Sequence, residues 1–273
     1  MKKVKNIIAF LSDFGLDDHF VGTMKGVMLS YNPSATIIDI SHDILPQNIR
    51  QAGYLLWAAY KFFPKGTVFV CVVDPGVGSS RKILALRTKM HVFIAPDNGL
   101  LDFVIAEEGI VETRNIEYQN KRKGKNFGFL LPEISSTFHG RDIFAPVAAY
   151  LSKGKSLREL GEKIPAPQVG SPFVSVMSKT GVPRILHVDH FGNIVTNIRM
   201  ESGEDPPTFG ISLRGHDLRT WARTYVEAPP RGPFLISGSN ELVEIAVKNG
   251  NAAERLSATC GDRVNIISYN SRR

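Results

Sequence analysis

The run TVFVCVV at 67–73 constrains the fold most, because it reads as a buried strand that stops at Asp74, Pro75 and Gly76. A carboxylate at the carboxyl end of a buried strand, with the glycine-rich stretch VDPGVGSSR (73–81) behind it, is where chemistry sits in an open α/β sheet. The segment IIAFLS (7–12), followed by Asp13 and Gly15, repeats the arrangement. Two strand-end carboxylates on one sheet mark a site. The plainer reading, two Asp residues that cap turns, uses the same residues.

The first half of the chain alternates strand-like and helix-like segments. Helices are expected over 19–31, with Phe20, Met24, Val27, Met28 and Tyr31 on one face, and over 47–63, ended by Pro64, Lys65 and Gly66. ATIIDI (35–40), KILALRT (82–88) and HVFIAP (91–96) read as further strands, and Asp97 as the N-cap of a helix over 98–109. RDIFAPVAAYLSKG (141–154) is a last helix, with Pro146 restricting where it can start. Such alternation predicts an α/β domain, a mostly parallel sheet sandwiched by helices, over 1–165. After the proline-rich stretch IPAPQVGSP (164–172) the segments become short and strand-like, as in RILHVD, IVTNI, GISLRG, LVEIAV and RVNIIS. They predict a smaller antiparallel barrel-like or sandwich domain over 166–273, with no strong helix.

Composition narrows the classes. With 273 residues, 43% hydrophobic and 22% charged, the chain has material for a substantial core. Its apolar runs fall short of the ~18–20 residues that cross a bilayer. The start MKKVKNIIAFLSDFG has a basic then apolar order, yet reads as a first strand rather than a leader. Cys71 and Cys260 lack metal-ligand spacing, which suits a reduced, cytoplasmic protein. The net charge of +7 raises nucleic-acid binding. The only dense basic cluster, KRKGK (121–125), lies between asparagines without interleaved aromatics, so a solvated loop and no nucleic-acid partner are expected.

Four segments hold the chemistry-bearing side chains: Asp13 with Asp17, Asp18 and His19; Asp74 with Arg81; TFHGRD (137–142); and VDHFGNIVTNI (188–198). A metal site needs three or four converging ligands, and no HxH or HxxxH pair occurs, so none is expected. The DFG at 13–15 matches kinases in letters only, since neither an HRD loop nor a glycine-rich lid accompanies it. Asp74, Arg81 and His139 supply an acid, a fixed cation and a titratable base. Such a trio can hold and polarise a water molecule. A salt bridge plus a capping histidine accounts for the same three residues.

LSDFG, FFPKGTVFVCVVDPGVG, IAPDNGLL, FHGRDIFAPVAA, VDHFGNIVTNI and SGSNELVEIAVKNGNAA occur in this order along nearly the whole chain. Together they resemble the S-adenosylmethionine hydroxide adenosyltransferases, relatives of the bacterial fluorinase and chlorinase. The resemblance implies cleavage of S-adenosyl-L-methionine at ribose C5′ by water or hydroxide, giving adenosine and L-methionine without a cofactor. It assigns the catalytic triad to Asp74, Arg81 and His139, the ribose hydroxyls to Asp13, and the position beside the reacting carbon to Phe138. Asp189 falls on the methionine ammonium, Ser239 near its carboxylate, and Phe191 and Asn193 on the adenine. Val247 and Asn249 fall on backbone contacts to the base. The halogenase branch carries tyrosines where this chain has Asp74 and His139, a serine at Gly140, and an inserted loop that this chain lacks. A homotrimer with the site between subunits is also implied. By its unperturbed pKa, His139 is the best proton acceptor of the three. A metal-dependent hydrolase and a non-catalytic adenosine-binding protein are the other readings.

Overall fold

A computed structural model describes residues 6–118, 129–176, 181–200 and 209–268, in two compact units, Met1–Gly170 and Ser171–Arg273. The division falls within the proline-rich stretch 164–172. The basic cluster at 121–125 lies outside the described residues.

The first unit is built on a seven-stranded sheet. In chain order its strands are β1 (Ile7–Ser12), β2 (Thr36–Ser41), β3 (Val68–Val72), β4 (Ile83–Thr88), β5 (Val92–Pro96), β6 (Ile110–Asn115) and β7 (Lys163–Ile164). Spatially they run β2-β1-β3-β5-β4-β6-β7. β1 pairs in parallel with β2 and β3, and β3 with β5; the β4 and β7 pairings are antiparallel. Five of the seven strands therefore point the same way, and the sheet is mixed. β3 is buried along its whole length, as its near-continuous apolar run requires of a central strand.

Side chains alternate between two covered faces. Phe10 and Val70 pack with Met24, Met28 and Val147, from α1 (Phe20–Tyr31) and α4 (Ala145–Ser152). On the opposite face Phe69 stacks on Phe93, which meets Tyr60 of α2 (Ile49–Tyr60). Asn48 caps α2, its side chain accepting from the Gln51 N–H at 3.0 Å. α3 (Asp102–Glu107) starts later than the sequence suggests: its N-cap is Leu101, and Asp97 does not cap it. Asn98 bends the chain there instead, accepting from Leu100 N–H and donating to the Val73 carbonyl at 2.9 Å.

Pro146 has a visible effect. Before α4 the chain makes a π-helical turn over Gly140–Phe144, in which the Ala145 N–H reaches back to Gly140. A proline ring clashes with the carbonyl four residues before it, and the wider turn moves that carbonyl away.

The second unit has two sheets over a shared core. One contains β8 (Val174–Ser175), β9 (Ile185–Val188), β10 (Ile194–Arg199), β13 (Pro233–Ser237) and β14 (Leu242–Val247); the other contains β11 (Phe209–Leu213), β12 (His216–Leu218) and β15 (Asn265–Ser268). Ile185, Ile194, Ile211, Leu235 and Ile245 meet between them. The β-rich unit expected from the strand pattern is thus largely antiparallel, with β8 joining β10 in parallel, and bridges at Arg184–Arg263 and Trp221–Leu235 link its two sheets. Among the described residues one short helix, α5 (Ala252–Leu256), interrupts the strands. Each unit carries one free cysteine: Cys71 is buried in β3, and Cys260 is half-buried with its thiol 2.8 Å from the Leu186 carbonyl.

Candidate active site

β1 and β3 are parallel neighbours in register, Ser12 opposite Val72, so the acids that follow them emerge at the same sheet edge. Asp13 and Asp74 line one cavity of about 460 Å³ together with Phe14, Phe138 and His139. This is the carboxyl-end crevice where open α/β sheets carry their ligands.

Arg81 links two residues of this wall. Its Nε donates to Asp74 Oδ1 at 2.6 Å and its Nη2 to Asp74 Oδ2, a two-point pairing that fixes the guanidinium plane. The same Nη2 lies 3.2 Å from His139 Nδ1. Arg81 therefore bridges Asp74, seven residues before it, and His139, 58 residues after it. A guanidinium has no lone pair, so Nδ1 must be the acceptor and the neutral imidazole carries its hydrogen on Nε2. Burial and then the Arg81 charge hold the His139 pKa below the ordinary histidine range, against the opposing pull of Asp74 and Asp142. Arg81 Nη1 is buried and has no partner among the described residues.

Phe138 sits in an aromatic pocket edge. Phe20 and Phe14 meet it edge-on at 5.2 and 6.0 Å, and the Arg141 guanidinium lies 5.3 Å above its ring. Gly140 is packed so closely that a β-carbon would come within 2.9 Å of Met24 Sδ and 3.1 Å of Phe138. A serine at this position, as in the halogenase pattern, requires Met24 to move. Asp13 accepts from the Gln47 N–H at 2.8 Å, and Gln47 holds a left-handed backbone at φ +64.

The second unit groups the other candidates. Asp189 opens the turn between β9 and β10. Its Oδ1 accepts from the N–H groups of Phe191 at 2.9 Å and Asn193 at 2.8 Å, and its Oδ2 from the Asn193 amide at 2.9 Å. That turn presents Phe191 to solvent at 75% exposure, while Asn193 is buried. Gly192, at φ +83, lies against the Asn251 side chain, where a β-carbon would come within 2.1 Å. Ser239 is exposed in the β13–β14 turn; Val247 ends β14 and is half-buried, and Asn249 follows with φ +54.

Sequence reasoning missed Glu244, which burial first and the Asp189 charge next push up to about 7. Gly238, beside Ser239, packs against its carboxylate. On the strand it reads as an ordinary polar residue facing out, and only the fold brings Asp189 near. Asn98 was missed in the same way, its brace on Val73 being 25 residues distant. Among the described residues, no three His, Cys, Asp or Glu side chains converge as a metal-binding set.

The fold and cleft define an α/β enzyme carrying a second, β-rich unit. Comparison with known proteins gives the family. The SAM hydroxide adenosyltransferase N-terminal domain matches residues 8–161, and the C-terminal domain of that name matches 183–265. A Salinispora arenicola protein named (R)-S-adenosyl-L-methionine hydrolase is 37% identical over 272 residues, covering 96% of this chain and 97% of its own. A Methanocaldococcus jannaschii protein of the same name is 37% identical over 279 residues, covering 97% of each chain. A fluorinase from Actinoplanes is 32% identical over 222 residues, covering 70% of this chain and 71% of its own. The crystal structure of a conserved Thermotoga maritima protein superposes with a TM-score of 0.82 at 36% identity, covering 95% of this chain and 99% of that one. The chain belongs to the S-adenosylmethionine hydroxide adenosyltransferase family.

Proposed function

We propose that the protein hydrolyses S-adenosyl-L-methionine at ribose C5′, releasing adenosine and L-methionine without a metal or other cofactor. The observation that carries this reading is the Asp74–Arg81–His139 contact on the wall of the cavity that Asp13 also lines. The leaving group is a neutral thioether, so the bond electrons pass to sulfur with no general acid needed. The difficulty lies with the nucleophile, because bulk water has a pKa of about 15.7. Asp74 locks Arg81, Arg81 sets the His139 tautomer, and the imidazole is left with Nε2–H as its donor. In this reading the pair stabilises hydroxide by donation, and the water proton passes to solvent; His139 is a donor rather than the base its ordinary pKa suggests. Oxygen attacks C5′ as the C–S bond breaks.

Asp13 holds the ribose hydroxyls and Phe138 shapes the space beside C5′. Asp189 has one acceptor position beyond its three internal hydrogen bonds, which suits the methionine ammonium. Ser239 serves the methionine carboxylate, Phe191 and Asn193 the adenine, and the backbone at Val247 and Asn249 the base edge. We further propose a cytoplasmic homotrimer in which one subunit's first unit is completed by a neighbour's second.

The decisive experiment incubates the EDTA-treated protein with each sulfonium epimer of S-adenosylmethionine in ¹⁸O-water. Adenosine and methionine in equal amounts, with the label in the adenosine 5′-hydroxyl, are expected. Turnover that appears only when a divalent metal is restored supports a metallohydrolase; a 5′-halogenated product in the presence of halide supports the halogenase reading; tight binding without turnover supports a sensor.

A further inference from the structure

Asp13 leaves the sheet immediately after Ser12, and Gly15 turns the chain at φ +66, so something outside this short segment must fix where its carboxylate points. The segment is tied at three places to residues 42–47. Ser12 Oγ lies 2.7 Å from His42 Nδ1, Gly15 N–H donates to the His42 carbonyl at 2.9 Å, and Gln47 N–H donates to Asp13. Ser12 is fully buried and His42 is 4% exposed, its ring 4.5 Å from Phe10. Phe14 N–H donates to Ser12 Oγ, and with the imidazole hydrogen on Nε2 the Ser12 hydroxyl donates to His42 Nδ1. That tautomer is the one the Asp39 carboxylate favours, since Asp39 Oδ1, an acceptor only, lies 3.1 Å from Nε2. Asp39 is in turn held by Lys25 at 2.6 Å.

A leucine would fill the space against Phe10 as well as an imidazole and would avoid burying polar nitrogens. The polarity at 42 is instead divided, Nε2 facing Asp39 on β2 and Nδ1 facing Ser12 in the segment that bears Asp13. We propose that His42, acting through Ser12, is a positioning residue that preorganises the Asp13 loop for the ribose diol. This rests on the proposed function for the role of Asp13. A preformed loop spares the substrate the cost of ordering it, so the effect belongs in affinity rather than in the chemical step.

Calorimetric titration with adenosine, alongside kcat and KM for S-adenosylmethionine, tests this in His42→Ala, Ser12→Ala, their combination, His42→Asn and His42→Gln. Loss of one buried hydrogen bond corresponds to about tenfold in affinity. His42→Ala and Ser12→Ala are each expected to raise KM and the adenosine Kd by about that factor with kcat nearly unchanged. The combination is expected to be no worse than either alone, because both remove the same link. The amide oxygen introduced by His42→Asn takes the place of Nδ1, so this variant restores affinity, whereas His42→Gln, which mimics the Nε2 end, does not. Unchanged affinity in Ser12→Ala, additive losses, or a fall in kcat at constant KM overturns the proposal. If His42→Ala does not fold, Ser12→Ala and His42→Asn decide it. A parent protein that binds adenosine without turnover removes the proposed activity but leaves these affinity ratios readable. One that binds no adenosine removes both.

Discussion

At the scale of single residues, the proposed mechanism depends on a guanidinium held by Asp74 on one side and donating to His139 on the other. Asp74→Ala releases Arg81 and is expected to lower kcat by about 10²–10³-fold, the usual loss for a preorganised donor, with adenosine affinity retained. His139 separates two mechanisms. If it donates through Nε2–H, His139→Gln, whose amide nitrogen lies near that position, retains far more turnover than His139→Ala; if it is the base, both variants lose activity alike. The pH profile follows from the direction of its shift. Because the folded pKa lies below the ordinary value of about 6.5, His139 stays neutral as the pH falls through that value. Activity should then decline only at lower pH, as imidazolium forms beside Arg81 and their hydrogen bond breaks. Rate profiles of the parent and of His139→Gln check this. Asp74, Arg81 and His139 stood out as candidates in the sequence because acid, cation and imidazole each adjoin a glycine-rich turn or strand end; their meeting is seen only in the fold. Glu244 and His42 did not stand out, since their roles depend on partners that the fold supplies and no local spacing announces.

Elements tell a similar story. Strand and helix centres followed apolar periodicity, whereas starts and stops followed tertiary bonds. Asp97 has the look of a cap, yet the Asn98 brace on Val73 delays α3 until Leu101. The π turn before α4 reflects a clash between Pro146 and its own helix, which periodicity does not register. His91 ties element packing to pH. It precedes β5 among the rings of Tyr60, Phe69 and Phe93, with Nδ1 buried and unpartnered among the described residues. Burial holds its pKa down to about 4. Between pH ~6.5 and about 4 the unfolded chain therefore takes up a proton that the folded chain refuses. Stability from this group is intact above that window and is lost as the pH falls through it, by at most about 3 kcal/mol. Urea unfolding of His91→Phe across this range should show a flatter acid limb than the parent.

For the whole molecule, the candidate residues divide between two units: Asp13, Asp74, Arg81 and His139 in one, Asp189, Asn193 and Ser239 in the other. The proposed shared site makes this division testable. Asp74→Ala and Asp189→Ala proteins, each with little turnover, should regain activity when mixed under conditions that allow subunits to exchange, because some sites then combine an intact half from each. Failure to recover, with exchange verified by mass spectrometry of the native assembly, argues for a site within one chain. The change in segment length after residue 164 lies close to the point, Gly170, where the two compact units divide. The pairing order of the strands was not legible, because parallel neighbours such as β1 and β3 are joined only through long-range contacts.

The placement of the two sulfhydryls has a practical consequence. Cys71 lies in the middle of a central strand, where burial pushes its ionisation up and keeps it unreactive. Cys260 occupies the other unit and is partly accessible. Alkylation kinetics, resolved by peptide mass mapping, can thus follow the cooperative melting of the first unit independently of its companion, using the native chain as its own reporter.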